Sequence, residues 1–398
     1  MGMPYSIKAQ KLKESATIRM SRLARDLSQK GVEVIDLSLG EPDFNTPEHV
    51  CRAAYEGALA GYTHYPPVAG YPDLRRAIVD HTVKEDISAD PDNVVVSTGA
   101  KQALYNIFSA ILDEGSGVAL PVPYWVSYRD IIEFVGGRIV EIMPGRNFKI
   151  TAEGLENALK QPDVRIFLFN SPSNPSGVVY RREEIAELVS VLEKFPEVWI
   201  ISDEVYDRII YDGEFVSIAE FESVRDRVII VNSCSKSFAM TGWRLGWMVS
   251  PNRDLAVKAS KIQGQVTSGA NSVAQRAAIT AITGDQEPFK AMYREFKGRR
   301  DFVISYLENN FKGSGIKWVE PQGAFYLWLD ISEWLRERDE FRDGSQVAEE
   351  ILKQVYVATV GGNSFGLPEG LRLSLATSKT NLEKGLERLK RFFLDGSR

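Results

Sequence analysis

Between Asn93 and Val249 the chain repeats one pattern, a short apolar run followed by a longer segment with helical periodicity. The runs fall at 94–97, 117–120, 138–142, 164–170, 198–203, 228–232 and 245–249. Strands that alternate with helices pair in parallel and are covered on both faces. The expectation is therefore an α/β fold whose large domain carries a seven-stranded, mostly parallel sheet. Ligands of such sheets bind beyond the carboxyl ends of the strands. The distinctive polar residues of this chain cluster at those ends.

At 398 residues the chain exceeds one ordinary domain. The flanks of the alternating region read differently. Helical spacing of Leu12, Met20, Leu23 and Leu27 runs from Ser6 to about Gly31, with Ser15 and Thr17 as interruptions, and a strand is expected at 32–37. Two helices are expected between His49 and Lys84, and a helix capped by Thr151 at 151–160. After Pro251 come helices at 255–265, 273–282 and 288–311, then short strands at 317–319, 325–329, 355–358 and 371–375 among helices. A large domain over 48–290 and a smaller α+β domain from 1–47 and 291–398 are expected.

The formal net charge of −6 gives no basic footprint for nucleic acid or an acidic membrane. Cys51 and Cys234 form neither a disulfide framework nor a metal-ligand spacing. No apolar run is long enough to span a bilayer, no leader is read at the N-terminus, and a cytoplasmic location is expected. The acylation pattern nominally matched by Met1-Gly-Met-Pro-Tyr-Ser6 is too loose to use.

Each strand end offers chemistry. After 94–97 comes Thr98-Gly-Ala-Lys101, where Gly99 and Ala100 place free N–H groups at a helix start, a natural anion site. Lys101 beside it is disfavoured by the helix dipole unless an anion is near, either a cofactor phosphate or a substrate carboxylate. Trp125 offers a flat ring, and Asn174 an amide in a loop fixed by prolines. Asp203 ends an apolar strand ahead of Glu204 and Tyr206, so it either pairs with a cation or caps the next helix. Arg372 in an apolar strand requires an anion, a ligand carboxylate or a neighbouring acid. Lys236 stands between Ser233 and Ser235 and upstream of Arg244, with Gly242 and Gly246 allowing close backbone approach. Hydroxyls, a guanidinium and an amine suit a phosphate-bearing aldehyde such as pyridoxal phosphate, because a lysine near other cations stays partly unprotonated and nucleophilic. Gly40 reads as a turn, and Tyr65 as a surface aromatic in a stiff, proline-rich segment.

The stretch Ser233-Cys-Ser-Lys-Ser-Phe-Ala-Met-Thr-Gly-Trp-Arg-Leu-Gly246 closely resembles the cofactor-lysine signature of the class I aminotransferases. Segments around Gly40, Tyr65-Gly70-Leu74-Arg75, Pro321–Tyr326 and Arg372 follow in family order, and the set most resembles the bacterial aspartate aminotransferase subgroup. The resemblance implies that Lys236 carries pyridoxal 5'-phosphate covalently and, when freed, moves the substrate's α-proton. It implies that Ser233, Ser235, Arg244, Gly99 and Ala100 hold the phosphate, that Trp125 stacks on the ring, and that Asp203 protonates the ring nitrogen. Tyr206 and Asn174 would bond the phenolic oxygen. Arg372 and Gly40 would hold the substrate α-carboxylate, and Lys101 a second carboxylate. Tyr65 would reach the neighbouring subunit's phosphate in a homodimer. The implied reaction is ping-pong transamination between an amino acid, first of all L-aspartate and also aromatic ones, and 2-oxoglutarate. Another pyridoxal phosphate reaction on the same fold, such as a β-lyase, shares these residues. A non-catalytic regulator would need a DNA-binding segment that the first thirty or so residues are too short to hold. A nicotinamide enzyme would need a Gly-x-Gly-x-x-Gly after a strand, and none occurs.

Overall fold

The computed structural model describes residues 5–12, 14–83, 87 and 89–395. The start of the acylation pattern and Lys84 lie outside them. In chain order the strands are β1 (Ile35–Asp36), β2 (Val94–Ser97), β3 (Gly117–Pro121), β4 (Arg138–Ile142), β5 (Val164–Asn170), β6 (Trp199–Asp203), β7 (Val228–Ser233) and β8 (Gly246–Val249), followed by β9 (Lys317–Trp318), β10 (Tyr326–Asp330), β11 (Val357–Ala358), β12 (Val360–Gly361) and β13 (Gly370–Ser374).

The expected seven-stranded sheet is present, in the order β2-β8-β7-β6-β5-β3-β4. Its pairs are parallel except those of β8, which runs antiparallel to both β2 and β7. The period-two pleat sends alternate side chains to opposite faces. Val94, Val96, Ile200, Val228 and Ile230 pack with one layer of helices, whereas Val95, Ile201, Ile229, Val231 and Met248 pack with the other. Two covered faces leave no solvated side, which is why these strands read as continuous apolar runs.

A four-stranded antiparallel sheet, β12-β13-β10-β9, and the pair β1-β11 build a separate apolar cluster. It draws Met20, Phe296, Leu307, Ile351 and Leu386 from the helices Ala16–Gln29, Glu287–Asn310, Gly344–Val355 and Lys379–Phe393.

Several elements differ from the sequence expectation for local reasons. The early helical stretch is two helices, Ile7–Lys11 and Ala16–Gln29, with Ser15 at the second N-cap. The strand expected at 32–37 shrinks to β1, because Gly31 turns with φ +84° and Val32 N–H bonds back to Leu27 O. Such bonds satisfy carbonyls at a helix end and delay the strand. Likewise β11 starts at Val357 because the preceding helix runs to Val355 and Tyr356 adopts the left-handed conformation. Thr151 does cap the helix Ala152–Leu159, accepting from Gly154 N–H at 3.1 Å. Among the described residues no helix is long and apolar enough to cross a membrane.

One side chain locks β7 to the end of the helix Arg182–Leu192. Arg227, directly before β7, donates to Leu192 O (2.8 Å), Phe195 O (2.7 Å) and Val198 O (2.8 Å). It adds a charged donor to carbonyls at and beyond the helix end and places a cation at the negative end of its dipole. Arg227→Met keeps much of the apolar stem and removes three hydrogen bonds to carbonyls, of which those of Leu192 and Phe195 keep a backbone N–H donor. A loss of roughly 2–4 kcal/mol is expected, read as a lower denaturation midpoint in guanidinium with unchanged turnover. An unchanged midpoint would show that water replaces the guanidinium without cost.

Candidate active site

The carboxyl ends of β2, β3, β5, β6 and β7 open on one cavity of about 330 Å³. Its wall includes Gly40, Ala100, Lys101, Trp125, Asn174, Asp203, Tyr206, Ser233, Ser235, Lys236, Arg244 and Arg372. The structure thus brings together all but two of the residues singled out from the sequence. Gly99 stands just behind the wall as the N-cap of the helix Ala100–Ile111. Tyr65 lies apart, exposed, in a surface groove with His64, Pro66 and Asn271.

Lys236 sits in the single helical turn Cys234–Ser237 that follows β7. Its Nζ donates to the carbonyl of Gly40, which reaches over from the loop after β1. Burial pushes its pKa down to about 8, and Arg372, Arg244 and Lys101 push the same way, while Glu41 opposes them. An amine with that pKa is a usable nucleophile and base near neutrality.

Asp203, 2% exposed, ends β6 on the cavity floor. No helix follows it, so it does not serve as a helix cap. Its carboxylate accepts from Tyr128 OH at 2.6 Å and from Val205 N–H at 3.3 Å. Burial pushes its pKa up to about 6, held from rising further by those two donors and by Lys236. A buried acid so poised favours a cationic partner.

Arg372 in β13 is almost wholly buried. Its Nη2 donates to Ser38 O (2.6 Å) and its Nη1 to Asn174 Oδ1 (3.2 Å), while Nε, also buried, has no partner. The guanidinium lies over the ring of Tyr326 at 4.6 Å. No ion pair to Arg372 occurs among the described residues, so its charge is answered by carbonyls, rings and whatever enters the cavity. Asn174 also donates to Tyr206 OH (3.4 Å), and Tyr206 OH meets Tyr326 OH at 3.0 Å.

The opposite end of the cavity suits a phosphate. Because β8 is antiparallel, the residues before it arrive at the same edge as the ends of its neighbours, and Gly246 pairs with both Ser97 and Ser233. A Cβ on Gly246 would lie 2.4 Å from Ala100 N, and one on Gly99 (φ +80°) 2.5 Å from an Arg244 terminal nitrogen. Only glycines allow the helix N-terminus, the guanidinium and the Ser233–Ser235 turn to crowd together. Lys101 stands at the rim, its Nζ over the Trp125 ring at 5.0 Å. Burial and Arg244 lower its pKa, with Asp130 opposing. Cationic, hydroxyl and N–H donors at one end, an acid on the floor and an amine between them fit pyridoxal phosphate in its phosphate, ring nitrogen and aldehyde.

Sequence reasoning missed several wall residues. Tyr128, which bonds Asp203, follows Trp125 by one helical turn, but nothing local marks its partner on another element. Tyr326 closes the Pro321–Tyr326 segment that was noticed without a role. Glu41, whose carboxylate accepts from Thr241 OH at 2.7 Å, adjoins the noticed Gly40. Thr17 and Ile18, from the helix Ala16–Gln29, stand at the cavity mouth.

The sequence model described as "Aminotransferase class I and II" matches residues 32–389. The chain is 40% identical over 391 residues to a probable aspartate/prephenate aminotransferase of Rhizobium leguminosarum bv. phaseoli, covering 96% of each. It is 41% identical to an aspartate aminotransferase of Thermotoga maritima, covering 95% of this chain and 96% of the other. Among solved structures, the aspartate aminotransferase of Thermus thermophilus with maleate superposes with a TM-score of 0.90 at 36% identity, covering 98% of this chain and 100% of that one.

The lowered pKa of Lys236 has a direct readout. In chain freed of cofactor, competitive acetylation with peptide mapping should label Lys236 half-maximally at about pH 8, its reactivity rising as the amine loses its proton, against 10.5 for an ordinary lysine. A midpoint above 10 would mean that the amine is hydrated and outside this cavity.

Proposed function

This chain belongs to the class I and II aminotransferases, and on that premise we propose that it exchanges the amino group of L-aspartate with 2-oxoglutarate, and also accepts aromatic amino acids, with pyridoxal 5'-phosphate as cofactor. The observation that carries the reading is the buried guanidinium of Arg372, which makes no salt bridge among the described residues and faces the cavity that holds Lys236. When bound, the cofactor supplies an aldehyde for amine condensation and an electron-withdrawing ring that accepts the electrons of the broken Cα–H bond. Arg244, Ser233, Ser235 and the N–H groups at Gly99 and Ala100 would hold its phosphate, Trp125 its ring face, and Asp203 the proton on its ring nitrogen. Tyr206 and Asn174 would bond its phenolic oxygen.

The chain's own residues then divide the work. Arg372, with Gly40, grips the α-carboxylate and fixes the direction in which Cα–H points, an orientation worth several kcal/mol. Lys236 Nζ takes the α-proton and returns it, which an amine with a pKa near 8 can do in both directions. Lys101 at the rim would receive the second carboxylate of a dicarboxylic substrate. Related proteins support this choice by name, since the matched relatives are aspartate or aspartate/prephenate aminotransferases.

We further infer a cytoplasmic homodimer whose protomers divide into a large domain, 48–290, and a small one from 1–47 and 291–398. Exposed Tyr65 would serve the neighbouring subunit's phosphate. Chains carrying Tyr65→Phe mixed with chains carrying Lys236→Ala should then regain activity in hybrids, since one site of each hybrid is intact. Additive, unrescued activities would refute shared sites.

The main test is absorbance of the purified enzyme with a panel of amino acids, followed by identification of the oxo acid formed. Aspartate should yield oxaloacetate stoichiometrically with glutamate from 2-oxoglutarate; pyruvate and ammonia released from serine or cysteine without an acceptor would indicate elimination instead. In the same assay Lys101→Ala should lower kcat/KM for aspartate by on the order of tenfold to a hundredfold, the worth of one charge-assisted contact, and leave phenylalanine nearly unchanged. An equal fall for both, with leakage of cofactor, would assign Lys101 to the phosphate.

A further inference from the structure

Behind the cavity wall, on the side away from any ligand, one carboxylate touches both segments that carry the reacting groups. Asp207 follows Tyr206 in the turn after β6, and its N–H bonds Glu204 O at 3.0 Å, which closes that turn. Its Oδ2 accepts from Asn232 Nδ2 at 3.0 Å and its Oδ1 from Ser237 Oγ at 3.3 Å. Asn232 directly precedes, and Ser237 directly follows, the residues Ser233 to Lys236. Each contact is itself backed. Asn232 Oδ1 accepts from Ser233 N–H at 2.7 Å, and Ser237 O accepts from Tyr293 OH at 2.6 Å. The neighbouring Arg208 directs its guanidinium elsewhere, to Gln286 Oε1 (3.0 Å), His81 O (3.2 Å) and the face of Phe238. Burial pushes the pKa of Asp207 up, and the charge and backbone N–H of Arg208 oppose this together with the Asn232 and Ser237 donors; its two side-chain hydrogen bonds go to neutral donors at the two ends of the lysine turn.

We propose that Asp207 is a positioning residue that clamps the Lys236 turn to the Asp203–Tyr206 turn, fixing the spacing between the proton-moving amine and the groups opposite it. Neither turn is held in that relation by the sheet alone. Backbone bonding between the two segments runs as far as Glu204 N–H to Val231 O, at 2.8 Å. Beyond that point the hydrogen bonds that join the two turns, among the described residues, are the two to the Asp207 carboxylate. Positioning of this kind acts on turnover more than on binding, because small displacements of a reacting group weigh most on the transition state. The inference rests on the proposed role of Lys236 as the proton-moving amine.

The donor pattern supplies a reciprocal test. Asn232→Asp sets two carboxylates face to face and breaks the clamp. Adding Asp207→Asn to it restores donor and acceptor with their places exchanged and leaves the net charge as in the wild type. Asp207→Ala removes the clamp outright. For both single variants kcat should fall tenfold or more with KM changed less, and the swapped double variant should recover to within about threefold.

Acetylation of Lys236 in cofactor-free chain gives a second readout. Deleting the negative charge of Asp207 would by itself lower the lysine's midpoint, whereas release of the turn into water raises it. The clamp therefore predicts a rise in Asp207→Ala from about 8, and a return in the double variant. Single variants that lose thermal stability but keep kcat and the Lys236 midpoint would overturn the proposal, as would a double variant that regains stability without kcat. If Asp207→Ala does not fold, Asn232→Asp and its rescue decide alone. If the wild type transaminates nothing, the functional reading falls, and the labelling midpoints still decide whether the clamp exists.

Discussion

Four cations, Lys101, Lys236, Arg244 and Arg372, face one cavity whose wall, among the described residues, offers Asp203 and Glu41 as its acids. That imbalance governs the site. Like charges confined in a poorly solvated space raise each other's cost, and the side chain able to shed its proton does so. The guanidiniums cannot give theirs up, so the two lysines respond: burial first and the neighbouring cations second lower the pKa of both, that of Lys236 to about 8. The same surplus makes the cavity a sink for anions, and its two arginines stand on different elements. Arg244 belongs to the turn before β8, and Arg372 to β13 of the smaller sheet. A ligand with negative charge at two separated points answers both, which a phosphate-bearing cofactor together with an amino acid carboxylate does.

The arrangement depends on one irregularity of the large sheet. A wholly parallel sheet would bring only strand ends to the ligand edge. With β8 reversed between β2 and β7, the segment entering a strand joins the segments leaving its neighbours. Arg244 thereby meets the helix N-terminus after β2 and the serines after β7 over a few residues of chain. The backbone contact at Gly246 is the cost of that crowding, and no side chain larger than hydrogen fits there without moving Ala100 or Gly99. Arg244 itself takes a positive φ of 55°. A non-glycine residue in that conformation costs free energy, which surrounding structure must offset.

Much of this was legible from sequence, because the large sheet is buried on both faces and buried strands announce themselves as apolar runs. Strand bounds came within a residue for that reason. The direction of β8 was not legible, since an apolar run reads the same in either sense and direction follows from the length and path of its connection. The thin elements around β1 and β11 failed differently. Their ends are set by helix-terminating turns at Gly31 and Tyr356, and a tyrosine in the left-handed region leaves no compositional mark. In the site, residues with a charge or a motif stood out, whereas Tyr128 and Asp207 did not. Both act through partners brought near by the fold, 75 residues away in one case and 25 and 30 in the other, and pairings at such separation have no local signature.

The floor of the site is built against stability. Asp203 titrates at about 6 in the fold and at about 3.8 when exposed, so the folded state holds its proton more tightly than the unfolded one. By linkage this carboxyl favours the fold at low pH, loses that advantage as pH rises through its folded pKa, and at neutral pH leaves the fold without a cationic partner there about 3 kcal/mol worse off than an unperturbed acid would. Glu204 beside it accepts from the hydroxyls of Ser202 and Ser217 and is pushed up to about 8 by burial first and by Asp207 and Asp203 second. Of these two adjacent acids it is Asp203 that lines the cavity. A positive charge delivered to Asp203 converts its penalty into attraction, so the fold is stabilised by what it binds. The strain at the floor is thus a selectivity device: a neutral ring in the same place would leave the carboxylate's cost unrelieved.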